Sequence, residues 1–398
     1  MSTLDELVGA ANAAVAARSW EEAERLWGEV YKLDPKHPRA LFGLTAHALQ
    51  RGDLGQAHER LVEALAAAPQ DLAVLQLAIS IHEKRGDLDA EMEVIERALA
   101  VEPYFLSALL SKGSWMERQG RQREAASVYR NALTVAGPER NWPPANQAML
   151  HHARDVSTGQ ALKFHEFLKG RLADRLGGFG GMDRQRWDEA TAVMAGVSPV
   201  YPSVSNQLPV PRFPAIPFHD PAGFDWVEGL EAQTGVIREE LAAAQEKLKS
   251  AFAPYIAYRP GDPVNQWAEL NHSDRWSHLS LWRSGEAQPE VLAACPQTRA
   301  ALEAVDMADI DGRCPNAMFS ALAPHTEIPP HHGETNARLV VHLPLIVPEG
   351  CSYRVGFEQR KWEEGKVLIF DDTIEHTARN DSDELRGVLI FDVWNPLL

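Results

Sequence analysis

The stretch PHHGETNARLVVHLPLIVPEGCSYRVGFEQRKWEEGKVLIFDDTIEHTARNDSDELR, residues 330–386, decides how this chain is read. His331 and His376 stand 45 positions apart on either side of strand-like runs, and Arg386 follows His376 by ten positions at the start of another apolar run. That spacing suits a small β-barrel that holds a metal ion through imidazoles and anchors an acidic cosubstrate through a buried guanidinium. Side-chain alternation within the stretch points the same way. In residues 338–344, Arg338, Val340, His342 and Pro344 share one strand face, while Leu339, Val341 and Leu343 share the other. A charged group and a histidine on one face of a half-buried strand imply a polar interior. A buried arginine is costly unless it meets an anion, so an acidic ligand inside the barrel would satisfy both Arg338 and Arg386. The competing arrangement is a pair of structural ion pairs with Asp371, Asp372 or Asp392.

Outward from this stretch, WSHLSLWRSGE, AMFSALAP, CSYRVGF, GKVLIFDD and GVLIFDVW also read as short strands separated by Pro, Gly, Asn and Asp, the pattern of a β-sandwich or barrel. Upstream, a helix is expected from about Asp225 to Phe252, with Leu230, Ile237, Leu241 and Leu248 at helical intervals. Residues 193–222 are proline-rich and are expected to run extended over a domain surface.

The first third of the chain is periodic. Pro35, Pro69 and Pro103 are spaced by 34 residues, as are Gly52, Gly86 and Gly120, and as are the Ala-Leu pairs at Ala64, Ala98 and Ala132. Each unit is a helix, a turn, and a second helix stopped by proline. Between this array and the barrel, residues 141–192 read as a helical linker. Within it His151 and His152 lack a third metal ligand, and the glycines around Phe179 lack the preceding strand of a phosphate loop.

Composition bounds the rest. A chain of 398 residues with 45% apolar and 24% charged content is expected to hold more than one domain. A net charge of −17 argues against a nucleic-acid partner. No run is long and apolar enough to span a membrane, and the first residues lack the basic segment of a secretory signal, so a cytoplasmic location is expected. The three cysteines, Cys295, Cys314 and Cys351, form no CxxC pair and are expected to be reduced.

Two resemblances follow. The period of 34 resembles the tetratricopeptide repeat, although Thr45 stands where that family usually has glycine. HHGETNARLVVHL, WEEGKVLIFDDTIEH, an arginine ten positions on and FDVW resemble the aspartyl/asparaginyl β-hydroxylase family over roughly residues 200–398. Some members of that family carry tetratricopeptide repeats before the catalytic domain. The resemblance implies a repeat solenoid over residues 1–140, then a double-stranded β-helix of jelly-roll or cupin-like type over 193–398. It implies an iron(II)- and 2-oxoglutarate-dependent dioxygenase that hydroxylates the β-carbon of Asp or Asn in a peptide or protein, yielding succinate and CO2. The alternatives are the same chemistry on a small-molecule or lipid-linked substrate, or an inactive repeat-based scaffold.

Position by position, the resemblance implies His331 and His376 as iron ligands, with His332 as the local rival of His331 and Glu334 as a possible replacement carboxylate. Gly333 stands where most such oxygenases have a carboxylate, and this family has glycine there. Arg386, helped by Ser320, would bind the distal carboxylate of 2-oxoglutarate, and His342 would lie near its other carboxylate. Arg338 and Trp276 fall on the substrate side, with Ser277 and Trp282 nearby, and Val340 replaces an expected basic residue. No general base is assigned: Asp371, Asp372 and Glu375 are expected in turn and supporting roles. The implied partner is a peptide or protein substrate, with the repeats as a holding surface.

Overall fold

The computed structural model describes residues 3–398, which divide into two compact units, one ending at Pro199 and the other starting at Val200. The first is all helical: α1 (Thr3–Ala16), α2 (Trp20–Leu33), α3 (Pro38–Gln50), α4 (Leu54–Ala67), α5 (Leu72–Arg85), α6 (Leu88–Val101), α7 (Leu106–Arg118), α8 (Gln122–Ala136), α9 (Gln147–Leu176) and α10 (Gly181–Ala195). Consecutive helices pair as the repeat requires. Gly86 closes α5 in the left-handed conformation at φ 71°, and Asp87 then caps α6 by accepting from the Ala90 amide.

The repeat also explains its own departures. Trp27, Leu61, Ile95 and Tyr129 occupy one column of the 34-residue period. A Cβ on Gly43 would strike the Trp27 ring, and one on Gly113 would strike the Tyr129 ring. At Thr45, two periods before Gly113, the facing column holds the smaller Leu61. There the buried threonine keeps its side chain and donates its hydroxyl to the Leu41 carbonyl at 2.6 Å. Residues 141–192 are helical, but they form part of this unit rather than a linker: α9 packs on α8 through Leu150, Ala153, Ser157 and Ala161, and α10 folds back onto α9.

The second unit contains four short helices, α11 (Val227–Glu231), α12 (Thr234–Lys247), α13 (Pro289–Ala294) and α14 (Pro296–Glu303). Its strands are β1 (Phe218–His219), β2 (Ala253–Pro254), β3 (Trp276–Arg283), β4 (Glu286–Ala287), β5 (Ala317–Leu322), β6 (Thr326–His331), β7 (Arg338–Ile346), β8 (Cys351–Val355), β9 (Glu358–Arg360), β10 (Leu368–Phe370), β11 (His376–Asn380) and β12 (Arg386–Trp394). The helix expected over 225–252 is broken after Glu231. The Thr234 hydroxyl takes the Glu231 carbonyl, and the Glu231 carboxylate accepts from the Val367 amide.

The strands form two antiparallel sheets, a large one in the order β1-β10-β7-β12-β5-β3-β2, with β4 beside β3, and a small one in the order β6-β11-β8-β9. Leu339, Val341, Leu343, Leu389 and Phe391 pack outward on Ile237, Leu241 and Leu302 of the helices. Trp276, Leu322, Val340 and Phe370 pack inward against Ile328, Tyr353, Val355 and Ala378 of the small sheet. Two antiparallel sheets facing one another make the jelly-roll class of double-stranded β-helix. One of the two edge strands of the small sheet, β6, carries Pro329 and Pro330. Part of the proline-rich segment does run extended along this unit: the amides of Asn206 and Gln207 donate to the carbonyls of Gly333 and Glu334.

Candidate active site

Between the two sheets lies a pocket of about 470 Å³ lined by His331, His376, Arg386, Ser320, His342, Arg338 and Trp276. These seven residues read from the sequence therefore reach one cavity, whereas Ser277 does not line it. Trp282 is absent from that lining and packs instead against the helical side of the large sheet.

His331 ends β6 and His376 begins β11, and the two are direct partners in the antiparallel ladder. Their rings lie 3.9 Å apart, centre to centre. His331 Nδ1 is 2.8 Å from the Pro329 carbonyl, and His376 Nδ1 is 3.0 Å from the Ile374 carbonyl. A carbonyl only accepts, so each Nδ1 carries the proton and each Nε2 keeps a bare lone pair, the form that binds a metal. Burial, with the neighbouring His376 ring, drives His331 down to about 3, and burial drives His376 down to about 4. Both rings are neutral at pH 7. His332, one residue on, holds its place through a backbone carbonyl that accepts from Asn206 Nδ2. Among the described residues, neither Glu334 nor any other His, Cys, Asp or Glu completes a three-membered coordination cluster.

Gly333 has a steric cause. A Cβ there would run into the Asp372 carboxylate, so that carboxylate fills the space where a side chain of residue 333 would begin. Asp372 Oδ2 accepts from Arg338 Nη1 at 3.2 Å, while its Oδ1 is buried without a partner among the described residues. Asp371 plays the turn role expected of it, accepting from the Thr373 amide and hydroxyl.

The two arginines part ways. Arg338 lies 3.2 Å from Asp372 and 3.3 Å from Asp392, and although burial alone would lower its pKa, these carboxylates hold it well above the ordinary value. The expectation that a ligand would satisfy both guanidiniums is thus corrected for Arg338, which already has its counterions. Arg386 has none. It is 1% exposed, its Nε and Nη1 have no partner among the described residues, and burial pulls its pKa down to about 10. Its guanidinium stacks 4.8 Å from the centre of the Trp362 ring.

Trp362 also fixes His342. Its Nε1 donates to His342 Nδ1 at 3.3 Å, so His342, which burial and Arg386 keep neutral, carries its proton on Nε2 as a free donor. Ser320 Oγ accepts from Trp276 Nε1 at 3.2 Å, and Tyr255 stacks on Trp276 at 3.8 Å. The roles of Trp362 and Tyr255 are missed by sequence reasoning. Tyr353, which also lines the pocket, could have been found by continuing the alternation through Cys351, Tyr353 and Val355.

Residues 231–396 match the family model described as aspartyl/asparaginyl beta-hydroxylase. The second unit is similar to that family over most of its length. Residues 14–81 match the tetratricopeptide repeat model. The chain is 37% identical over 174 residues to the aspartyl/asparaginyl beta-hydroxylase of Mus musculus, covering 43% of this chain and 22% of that protein. It is 34% identical over 184 residues to the ornithine lipid ester-linked acyl 2-hydroxylase of Rhizobium tropici, covering 46% of this chain and 61% of that protein. Against aspartate beta-hydroxylase domain-containing protein 2 of Xenopus tropicalis it is 31% identical over 192 residues, 47% of this chain and 49% of the relative. The match thus spans about a fifth of the mouse relative and under two thirds of each of the others. No helix among the described residues is long and apolar enough to cross a membrane.

Proposed function

We propose that the second unit is an iron(II)- and 2-oxoglutarate-dependent dioxygenase acting on the β-carbon of Asp or Asn in a peptide or protein. One juxtaposition carries this reading: two bare imidazole nitrogens and an unpaired, buried guanidinium open into the same 470 Å³ pocket. These residues fit the group they imply. His331 and His376 would hold the iron, whose chemistry is to couple decarboxylation of the oxoacid to oxygenation of an unactivated C–H bond.

The chain's own part is binding, orientation and exclusion of water. Arg386 would take the distal carboxylate of 2-oxoglutarate in charge-assisted hydrogen bonds, with its plane fixed by Trp362. His342 presents an Nε2 proton to an anionic oxygen. Trp267, 5.0 Å from His331, and Trp276, stacked on Tyr255, form an aromatic wall beside His331. The helical repeats would hold part of the polypeptide substrate.

A second reading rests on a different observation. Arg338 is already neutralised by Asp372 and Asp392, and Val340 adds only an apolar surface, so among the described residues the pocket offers no unpaired arginine or lysine besides Arg386. The same chemistry on an uncharged or lipid-linked group accounts for that lining. The Rhizobium tropici relative is an acyl 2-hydroxylase by name.

The test is conversion of 2-oxoglutarate to succinate with iron(II), ascorbate and oxygen, by wild type and by His376→Ala. Slow substrate-free turnover by wild type that the variant lacks is the expected result. Failure of wild type to bind either iron or 2-oxoglutarate in calorimetry would overturn the proposal. A peptide library read by mass spectrometry for a gain of one oxygen then separates the two substrate classes.

A further inference from the structure

The repeat unit holds a second concavity that the oxygenase reading does not use. Helix α9 has 30 residues, but apart from Leu176 its buried positions stop at Ala161. Beyond that point it outruns its contact with α8, and α10 turns back alongside it. The three helices enclose an open groove of about 510 Å³. Its apolar surface includes Phe164, Phe167 and Met194, of which Phe167 is 55% and Met194 67% exposed. Phe164 and Phe167 lie near-parallel with ring centres 6.4 Å apart. A cluster of exposed aromatic and thioether groups in a concave site marks an interaction surface.

The charges in the groove choose the ligand. Arg123 and Arg130, seven residues apart on one face of α8, and Lys163 on α9 are its charged lining residues, and no carboxylate lines it. Nearby carboxylates are engaged elsewhere: Glu124 pairs with Arg121, and Glu166 with Lys169. In a chain of net charge −17, a cationic groove without acidic lining is a local reversal of sign. Two guanidiniums favour planar carboxylates, and cations spread over two helices suit charges distributed along a chain rather than one headgroup.

We propose that the groove between α8, α9 and α10 binds an acidic peptide segment of a partner protein that inserts an apolar side chain between Phe167 and Met194. This inference is independent of the oxygenase reading.

The experiment uses the full chain and a fluorescein-labelled peptide of about a dozen residues alternating Glu and Leu, read by fluorescence anisotropy. Micromolar, salt-weakened binding is expected. The double variant Arg123→Glu/Arg130→Glu and, separately, Phe167→Asp should each weaken it by about tenfold or more, the size of one lost charge-assisted or apolar anchor. A peptide with Gln in place of Glu should bind similarly weakly. Circular dichroism confirms that the variants fold, and 2-oxoglutarate turnover, where wild type shows it, should be unchanged in them. Equal affinity of both variants and wild type would overturn the proposal. So would preferential binding to phosphatidylglycerol vesicles that the same variants abolish, which would make the ligand a lipid. A dimer in light scattering that the variants dissociate would instead make it a second copy of this chain.

Discussion

Two residues in the barrel are placed against ordinary rules of stability, and each has a testable consequence. Arg386 is a fully buried cation with unsatisfied donors, an arrangement that costs several kcal/mol when no anion is present. Replacing it with the unbranched apolar Met should therefore stabilise the ligand-free domain by about 1–4 kcal/mol. The same change should erase the rise in melting temperature that millimolar 2-oxoglutarate gives the wild type, about 2.7 kcal/mol at a hundredfold excess over Kd. Thermal shift with and without 2-oxoglutarate measures both, and a variant still stabilised by the oxoacid would remove Arg386 from that role. Gly333 is the second case. Because the Asp372 carboxylate occupies the space beyond it, Gly333→Asp should not complete a facial triad. It should destabilise the domain by about 1–3 kcal/mol through overpacking, with like-charge repulsion added. Adding Asp372→Ala should restore stability. If the single variant is as stable as wild type, the steric account of Gly333 fails.

At the scale of the element, the 34-residue column of Trp27, Leu61, Ile95 and Tyr129 states where a repeat needs glycine. Gly113→Ala should cost about 1–3 kcal/mol in chemical denaturation, because the new methyl meets the Tyr129 ring. Gly113→Ala combined with Tyr129→Leu should recover most of it, a coupling that a double-mutant cycle resolves. Strands were legible where alternation was strong: β7 shows Leu339, Val341 and Leu343 against Arg338 and His342, and its faces are those read from the residues. The strands that carry the two histidines were not. TEIPPH has two prolines and HTARN is polar, so neither shows an apolar pattern, and only the ladder with each other and with β8 makes them strands. The counterions of Arg338 were legible only as a choice among Asp371, Asp372 and Asp392, of which the structure takes the last two. Asp372 and Asp392 lie far along the sequence, and nothing local says which aspartate turns inward.

Over the whole molecule, the net charge of −17 is a self-repulsion that folding must overcome. Raising NaCl from about 20 mM to about 200 mM shortens the screening length from roughly 20 Å to roughly 7 Å and should raise the melting temperature. A fall would mean that surface pairs such as Arg184–Asp188 outweigh the excess charge. The division into a repeat unit and a barrel unit was readable from period and texture. The assignment of 141–192 to the repeat unit was not, since α9 carries its contacts on small residues, Ala153, Ser157 and Ala161, that give little hydrophobic signal.

The prolines of β6 bear on how any polypeptide could reach the histidines. An incoming chain that added itself to a sheet margin would need backbone donors there, and Pro329 and Pro330 offer none beside His331. Just past that margin, the carbonyls of Gly333 and Glu334 are already taken by the chain's own Asn206 and Gln207. β-augmentation is therefore closed at this rim. At this rim a polypeptide substrate would be held through its side chains rather than as an added strand, which suits a turn displayed by a folded domain as well as an extended segment.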